Sequence, residues 1–146
     1  FGLIPALKNA EFLRYGVMHR NSYIDAPSSI DGFFRSLKNS KIFIAGQLSG
    51  VEGYVESIAS GKLAAMHALR MLDGKEPLPL PVTTIVGALS AYISSPSGDF
   101  QPMNANYGIL RPLGENVRDK AKKRRMFAER AIACAEALAA AAGARE

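Results

Sequence analysis

The most informative part of the chain is Lys41-Ile42-Phe43-Ile44-Ala45-Gly46-Gln47-Leu48-Ser49-Gly50-Val51-Glu52-Gly53-Tyr54. Its first six residues are a short apolar run closed by glycine, which is typical of a strand buried on both faces of a parallel sheet. After the glycines, apolar residues recur three or four positions apart as far as Leu72, and Gly74 supplies a stop, so a helix of about five turns is predicted. A strand, a glycine turn and a helix in this order predict an α/β fold.

The rest of the chain adds one extended segment and two helices. Residues 12–24 mix aromatic and β-branched side chains with polar ones and predict a strand or extended segment. A second helix, capped by Thr83 or Thr84, should end before Ser95-Pro96. Good helix formers from about Arg118 to Ala142 predict a long terminal helix.

Composition limits the class of protein. The 146 residues are 48% hydrophobic and 21% charged, as in an ordinary globular domain, and no apolar run approaches the roughly 18–20 residues that span a bilayer. The single cysteine, Cys134, allows no intrachain disulfide and no thiolate pair for zinc, and we expect no metal site. A reducing cytoplasm fits this composition best.

The positive charge is concentrated in one segment. Residues 111–130 hold eight of the 18 Lys and Arg residues but three of the 13 acids, so the whole net charge of +5 comes from there. Such asymmetry indicates a polyanionic partner.

Glycines at 46, 50 and 53 allow the backbone to come within contact distance of a flat or anionic ligand, towards which the following helix points its free N–H groups. In a flavoprotein this arrangement suits the pyrimidine edge of the flavin, and Gln47 is placed to hydrogen-bond a ribityl hydroxyl or a ring atom. The alternative is that the glycines only make a tight strand-to-helix turn.

Three stretches, in order, resemble the folate-dependent, FAD-containing tRNA (uracil-5-)-methyltransferases. Ala45-Gly46-Gln47 and Ser49-Gly50-Val51-Glu52-Gly53-Tyr54-Val55-Glu56-Ser57 resemble that family's second FAD motif. Arg14-Tyr15-Gly16-Val17-Met18-His19-Arg20-Asn21 and Phe100-Gln101-Pro102-Met103-Asn104-Ala105-Asn106 resemble two further family patterns, so the resemblance covers nearly the whole chain. The related flavoenzyme that modifies the tRNA wobble uridine remains an alternative, but Thr-Thr-Gly-Tyr-Glu-Glu is expected there in place of Val51–Glu56.

Two features depart from the family pattern. The family's FAD fold begins with Gly-x-Gly-x-x-Gly after a strand, and no such motif occurs here. Because the chain also opens at Phe1 without an initiator Met, we expect residues 1–146 to be the closing half of a Rossmann-like FAD-binding domain, ending in a basic helical segment over 115–146. The second departure is Arg111, where an apolar residue or proline is expected.

The resemblance implies a reaction and a set of contacts. The methylene carbon of methylenetetrahydrofolate would go to C5 of a T-loop uridine in tRNA, with reduced FAD, recharged by NAD(P)H, as the reductant. The implied cofactor-binding residues are Gly46, Gln47, Gly50, Val51, Gly53 and Tyr54, and those facing folate or substrate are His19, Arg20, Asn21 and Tyr54. Without the family, Tyr54 would be a core tyrosine at a helix start and His19 a hydrogen-bonded histidine in a sheet.

Cys134 is the only thiol available for uracil C5 chemistry, which commonly needs a thiolate. It lies in an alanine-rich helix with no basic partner close along the chain, which favours a buried structural thiol. We therefore expect no catalytic residue in this chain and a nucleophilic cysteine upstream.

The basic segment contains six cations close together: Arg118, Lys120, Lys122, Lys123, Arg124 and Arg125. They are expected to contact tRNA phosphates, and the alternative is a solvated helix face. Two other functions stay open, namely a non-catalytic RNA- or partner-binding module and a general pyridine-nucleotide:flavin oxidoreductase.

Overall fold

A computed structural model describes residues 1–13, 16, 21–95 and 98–143 of the chain. The α-helices in these ranges are α1 (Ala26–Ser29), α2 (Tyr54–Leu72), α3 (Ile85–Ser94) and α4 (Lys120–Gly143). Short 3₁₀ turns occur at Pro5–Leu7, Gly46–Ser49 and Tyr107–Ile109. The three predicted long helices are therefore confirmed.

The strand predicted over residues 41–46 is wrong for the described part of the chain, where β-structure is limited to isolated bridges. Ser36 N donates to Ile42 O at 2.9 Å and Ile44 N donates to Phe34 O at 2.8 Å, so the segment has an antiparallel neighbour on one edge. Ile42 is 48% exposed. A doubly buried parallel strand needs neighbouring strands and helices over both faces, and the described residues do not supply them.

The predicted extended segment over residues 12–24 lies partly outside the described ranges, because 14, 15 and 17–20 are not described. Residues 21–24 belong to no helix or strand, and Ile24 N donates to Leu48 O at 3.0 Å. This bond ties the segment to the glycine-rich turn.

Helix α2 contacts the body of the protein through small and polar residues. Ser60, Ala64 and His67 are its buried positions, whereas the apolar side chains whose spacing predicted the helix lie mostly outside the core. The exposed ones are Val55, Ile58, Leu69 and Leu72.

Helix α3 begins with the predicted threonine cap. Thr84 Oγ1 accepts from Gly87 N at 3.1 Å and donates to Pro81 O at 2.7 Å. A Cβ at position 87 would collide with the carbonyl of Pro81, so the first turn of α3 requires glycine. The helix ends at Ser94, as expected from the proline at 96.

The core forms where α1, α2 and α3 meet. Its buried residues are Ala26, Ile30, Phe34, Val51, Ala64, Leu89, Ile93 and Phe100. A smaller cluster of Ala88, Leu110 and Phe127 holds α4 against the rest of the chain. Arg130 strengthens this attachment by donating to Arg111 O at 2.7 Å and Pro112 O at 3.0 Å.

Among the helices of the described ranges, none is both long and apolar enough to cross a membrane.

Candidate functional site

The turn before α2 has three glycines in the left-handed region of backbone space. Gly46, Gly50 and Gly53 have φ values of 65°, 83° and 91°, which a side chain would oppose. Gly46 N donates to Ser60 Oγ at 2.8 Å, and Gly46 O accepts from Ser49 Oγ at 2.7 Å. The turn is therefore fixed against the first turns of α2.

The Phe100–Asn106 motif packs directly on this turn. A Cβ at Gly50 would collide with the ring of Phe100. Met103 N donates to Gly50 O at 2.9 Å, and Glu52 N donates to Met103 O at 3.0 Å. These contacts bring Asn104 to Gly53, where an added Cβ would lie 3.1 Å from Asn104 Oδ1.

A cavity of about 460 Å³ opens where the turn, the Asn104 segment and the first turn of α2 meet. We call it the α2 N-terminal cavity, and it is lined by Asn21, Gln47, Val51, Glu52, Gly53, Tyr54, Ser57 and Asn104. Of the residues implied by resemblance, the cavity brings together Asn21, Gln47, Val51, Gly53 and Tyr54. Gly46 and Gly50 are not among its lining residues, and His19 and Arg20 lie outside the described residues.

Three lining residues were not assigned from the sequence: Glu52, Ser57 and Asn104. All three lie in stretches that resemble the family, so the sequence marked these positions as part of a motif but did not indicate what each side chain does. Ser57 is in the first turn of α2 and donates to Val51 O at 3.2 Å. Asn104 reaches the cavity only through the pairing of Met103 with Val51, a contact between distant segments.

The N-terminus of α2 opens beside this cavity without a side-chain cap, because its N-cap residue is Gly53. The N–H groups of the first turn then keep their hydrogen-bonding capacity and the positive end of the helix dipole. Tyr54, the first helical residue, is 93% exposed, so its ring face is open to a planar partner. The core-tyrosine alternative for Tyr54 is therefore wrong.

The donors and acceptors of the cavity suit binding and orientation. Amide side chains offer both donors and acceptors, Glu52 offers acceptors, and Ser57 offers a hydroxyl. The lining contains no thiol. Cys134 lies elsewhere, partly buried on α4, with its Sγ 3.2 Å from Thr83 Oγ1.

The basic cluster does not form one helix face. Arg118 precedes α4, and at 100° per residue Lys122 and Arg125 share one side while Lys120, Lys123 and Arg124 share another. All six side chains are exposed, and none has an ion-pair partner among the described residues. The predicted 115–146 helical segment begins in the structure at Lys120.

The described residues contain no group of three or more His, Cys, Asp or Glu side chains placed to hold a metal ion.

Known proteins resemble this chain over most of its length. The family model "Glucose inhibited division protein A" matches residues 1–76, just over half of the chain. Proteins named methylenetetrahydrofolate–tRNA-(uracil-5-)-methyltransferase TrmFO are 52% identical over 134 residues in Streptococcus suis and 55% identical over 130 residues in Thermotoga maritima. The Caldicellulosiruptor bescii protein of that name is 48% identical over 141 residues.

These matches cover 90%, 88% and 95% of this chain, respectively, but 30%, 30% and 32% of the relatives. The chain thus spans about a third of the length of the curated relatives it matches. It belongs to the glucose-inhibited division protein A family.

Proposed function

We propose that this chain forms part of the flavin- and folate-facing site of a tRNA (uracil-5-)-methyltransferase that uses methylenetetrahydrofolate as its carbon donor. The observation that carries the proposal is the α2 N-terminal cavity, where residues from three separated family-like stretches meet in one wall. The relatives' names support the same reaction.

The proposed architecture of the parent protein is α/β, with this chain as the closing half of a Rossmann-like FAD-binding domain. The extended segment at residues 41–45 supports this, because one of its edges lacks a backbone partner among the described residues. Added strands could pair with that edge, as they do in parallel sheets.

In this proposal the α2 N-terminal cavity receives the edge of the flavin ring of FAD. Gly53 keeps the backbone free of a side chain, the uncapped first turn of α2 directs N–H groups outward, and Gln47 lines the same wall. Negative charge on a flavin ring edge would be stabilised by these donors and by the helix dipole. Bound FAD, reduced by NAD(P)H, would supply the reducing equivalents for methyl formation.

Folate and the target uridine are proposed to lie over the open side of Tyr54. Its exposed ring can stack on a planar heterocycle, and Asn21, in the same wall, can hydrogen-bond a ring edge. His19 and Arg20 are proposed to contribute because they precede Asn21 directly in the chain. The chain's residues bind and orient, and the nucleophilic thiol is proposed to come from outside this chain.

The basic cluster is proposed to contact tRNA phosphates in the cytoplasm. Its cations are exposed and unpaired in the described ranges, so they can exchange counterions for phosphates. The division into two helix sides makes Lys122 with Arg125 the better pair for a single backbone, because Lys120, Lys123 and Arg124 share the side of buried Phe127.

The test is methyl transfer by the full-length protein to a tRNA transcript, with isotope-labelled methylenetetrahydrofolate, FAD and NAD(P)H. The expected result is label at C5 of the T-loop uridine, and a transcript with that uridine replaced by cytidine is the control. Label at the wobble uridine would favour the related wobble enzyme. Turnover of NAD(P)H with no label in tRNA would favour a general oxidoreductase.

A further inference from the structure

A second cavity, of about 200 Å³, lies near the opposite end of α2. We call it the His67 cavity, and it is lined by Phe33, Arg35, Phe43, His67, Met71, Lys75, Glu76 and Pro77. At 1.5 Å per residue, roughly 20 Å of helix separates Tyr54 from His67. The two cavities share no lining residue.

His67 is buried with unused hydrogen-bonding groups. Its side chain is 2% exposed, and in the described part of the chain neither Nδ1 nor Nε2 has a partner. Its ring meets the ring of Phe33 edge-on, with centroids 5.1 Å apart. Buried polar atoms are normally hydrogen-bonded, so an imidazole without partners beside a cavity indicates a ligand that supplies them.

Two cations line the same cavity. Arg35 Nε donates to Asp31 Oδ2 at 3.0 Å, while its terminal nitrogens have no partner among the described residues. The ammonium of Lys75 lies 3.6 Å from the Asp73 carboxylate, and the Lys75 side chain is about half exposed. Each cation thus retains donors that can turn to an anion.

A strained turn holds Arg35 in place. Phe34 has a φ of 63°, unusual for a bulky residue, and its ring is fully buried in the core. Its neighbours, Phe33 and Arg35, both line the cavity, and both of their backbone N–H groups donate to Asp31 Oδ1. Such strain persists only where the surrounding structure fixes it, so the turn presents its flanking side chains in a set orientation.

The charges around His67 favour its neutral form. Burial lowers its pKa, Asp31 opposes this effect, and Arg70 and Arg35 lower the pKa further. A neutral imidazole still donates one N–H. Glu76 is the only acid in the described wall of the cavity, and it is an exposed residue.

We propose that the His67 cavity binds a phosphate group through the His67 imidazole, the Arg35 guanidinium and the Lys75 ammonium. Oxyanions form their strongest hydrogen bonds with charged donors such as Arg35 and Lys75, and the neutral imidazole of His67 adds one N–H. The rings of Phe33 and Phe43 form an apolar part of the same wall. The phosphate comes either from free inorganic phosphate or from the backbone of a nucleic acid. The inference goes beyond the methyltransferase assignment and does not depend on it.

The experiment is a calorimetric titration of the full-length, FAD-loaded protein with inorganic phosphate in a phosphate-free buffer, with chloride as a reference salt. We expect saturable binding of one phosphate at this cavity, and Kd about tenfold higher for Lys75→Met and for Arg35→Met. Lys62→Met is the matched control, because Lys62 is an exposed lysine on α2, the helix that carries His67, and lines neither cavity. Its Kd should equal that of the unaltered protein.

His67→Asn should also weaken phosphate binding, and the exposed Lys75→Met variant keeps the test decisive if a change at the buried position prevents folding. Absence of saturable binding, or an unchanged Kd in both cation variants, would overturn the proposal. Repeating the titration with saturating tRNA identifies the source. Loss of phosphate binding assigns the cavity to a tRNA phosphate, and retained binding assigns it to free phosphate.

Discussion

The N-termini of α2 and α4 differ in how their first backbone N–H groups are capped. At α2 the N-cap is Gly53, no side chain caps the first turn, and the helix opens beside a cavity. At α4 the carboxylate of Asp119 accepts from Ala121 N at 2.7 Å and Lys122 N at 3.1 Å. The first helix therefore offers its backbone to a ligand, whereas in the second a side chain already occupies two of the first N–H groups, so its cations are the main groups left to bind one.

The charged residues in the first turns of α2 and α4 also differ. The first turn of α2 contains Glu56, which suits a helix N-terminus, and has no cation. The first turn of α4 has no acid and is crowded with exposed cations, against the preference of the helix dipole. Stability alone does not explain cations there, which supports a role in binding a polyanion.

The largest effect is expected from Gly53→Val at the open N-terminus. Gly53 has a φ of 91°, and an added Cβ would collide with the Glu56 carboxylate. We expect the full-length variant to lose its FAD and about 2 kcal/mol or more of unfolding free energy, measured by flavin absorbance and thermal unfolding.

Gly61→Ala is the matched control in the same helix, because nothing lies within 4 Å of an added Cβ there. It should keep full FAD and gain up to about 1 kcal/mol of stability. A Gly53→Val protein with stoichiometric FAD and unchanged stability would contradict the proposal that the N-terminus of α2, unlike that of α4, presents its backbone to a ligand.

A second effect is expected at the N-terminus of α4, from the double substitution of Lys122 and Arg125 by Gln. If both contact phosphates, the slope of log tRNA affinity against log salt should flatten by roughly 0.7 to 0.9 per lost contact, with FAD content unchanged. The matched pair is Lys120 and Arg124, on the other side of α4. We expect the larger change for Lys122 with Arg125, and unaltered slopes in both pairs would show that the cluster is a solvated helix face.

The smallest effect concerns the cap of α4. Asp119→Ala should lower the unfolding free energy by about 1 kcal/mol, because two backbone N–H groups lose their acceptor. Asp119→Asn should retain most of it, since asparagine caps helices about as well. Urea unfolding of the full-length protein measures both, and equal stability of the alanine variant and the unaltered protein would show that α4 needs no side-chain cap.

Local signals allowed most of the helical structure to be predicted. The Gly74 stop after α2, the Thr84 cap of α3 and the helix formers of α4 each act within a few residues, and all were confirmed. The strand over residues 41–46 was not, because a strand depends on distant neighbours that local sequence does not specify. For the same reason, apolar spacing predicted α2 correctly without showing that Ile58 and Leu69 would be exposed.

The two cavities also differ in how far the local sequence predicted them. The α2 N-terminal cavity is built largely from one continuous stretch, 47–57, so the sequence indicated it, apart from the roles of Glu52, Ser57 and Asn104. The His67 cavity joins segments near residues 33–43 and 67–77, and no local pattern marks it. His67 lies within the sequence of α2, and nothing in the neighbouring residues distinguishes it from an ordinary buried position of a helix.

In the full-length protein, we propose, the α2 N-terminal cavity faces the flavin. The most direct test is a fluorescence titration of the apo-protein with FAD, comparing the unaltered protein with a Gln47→Ala, Tyr54→Ala double variant. Both side chains are exposed in this structure, so stability should change little. We predict a Kd for FAD at least about tenfold higher. An unchanged Kd in a folded double variant would contradict the claim.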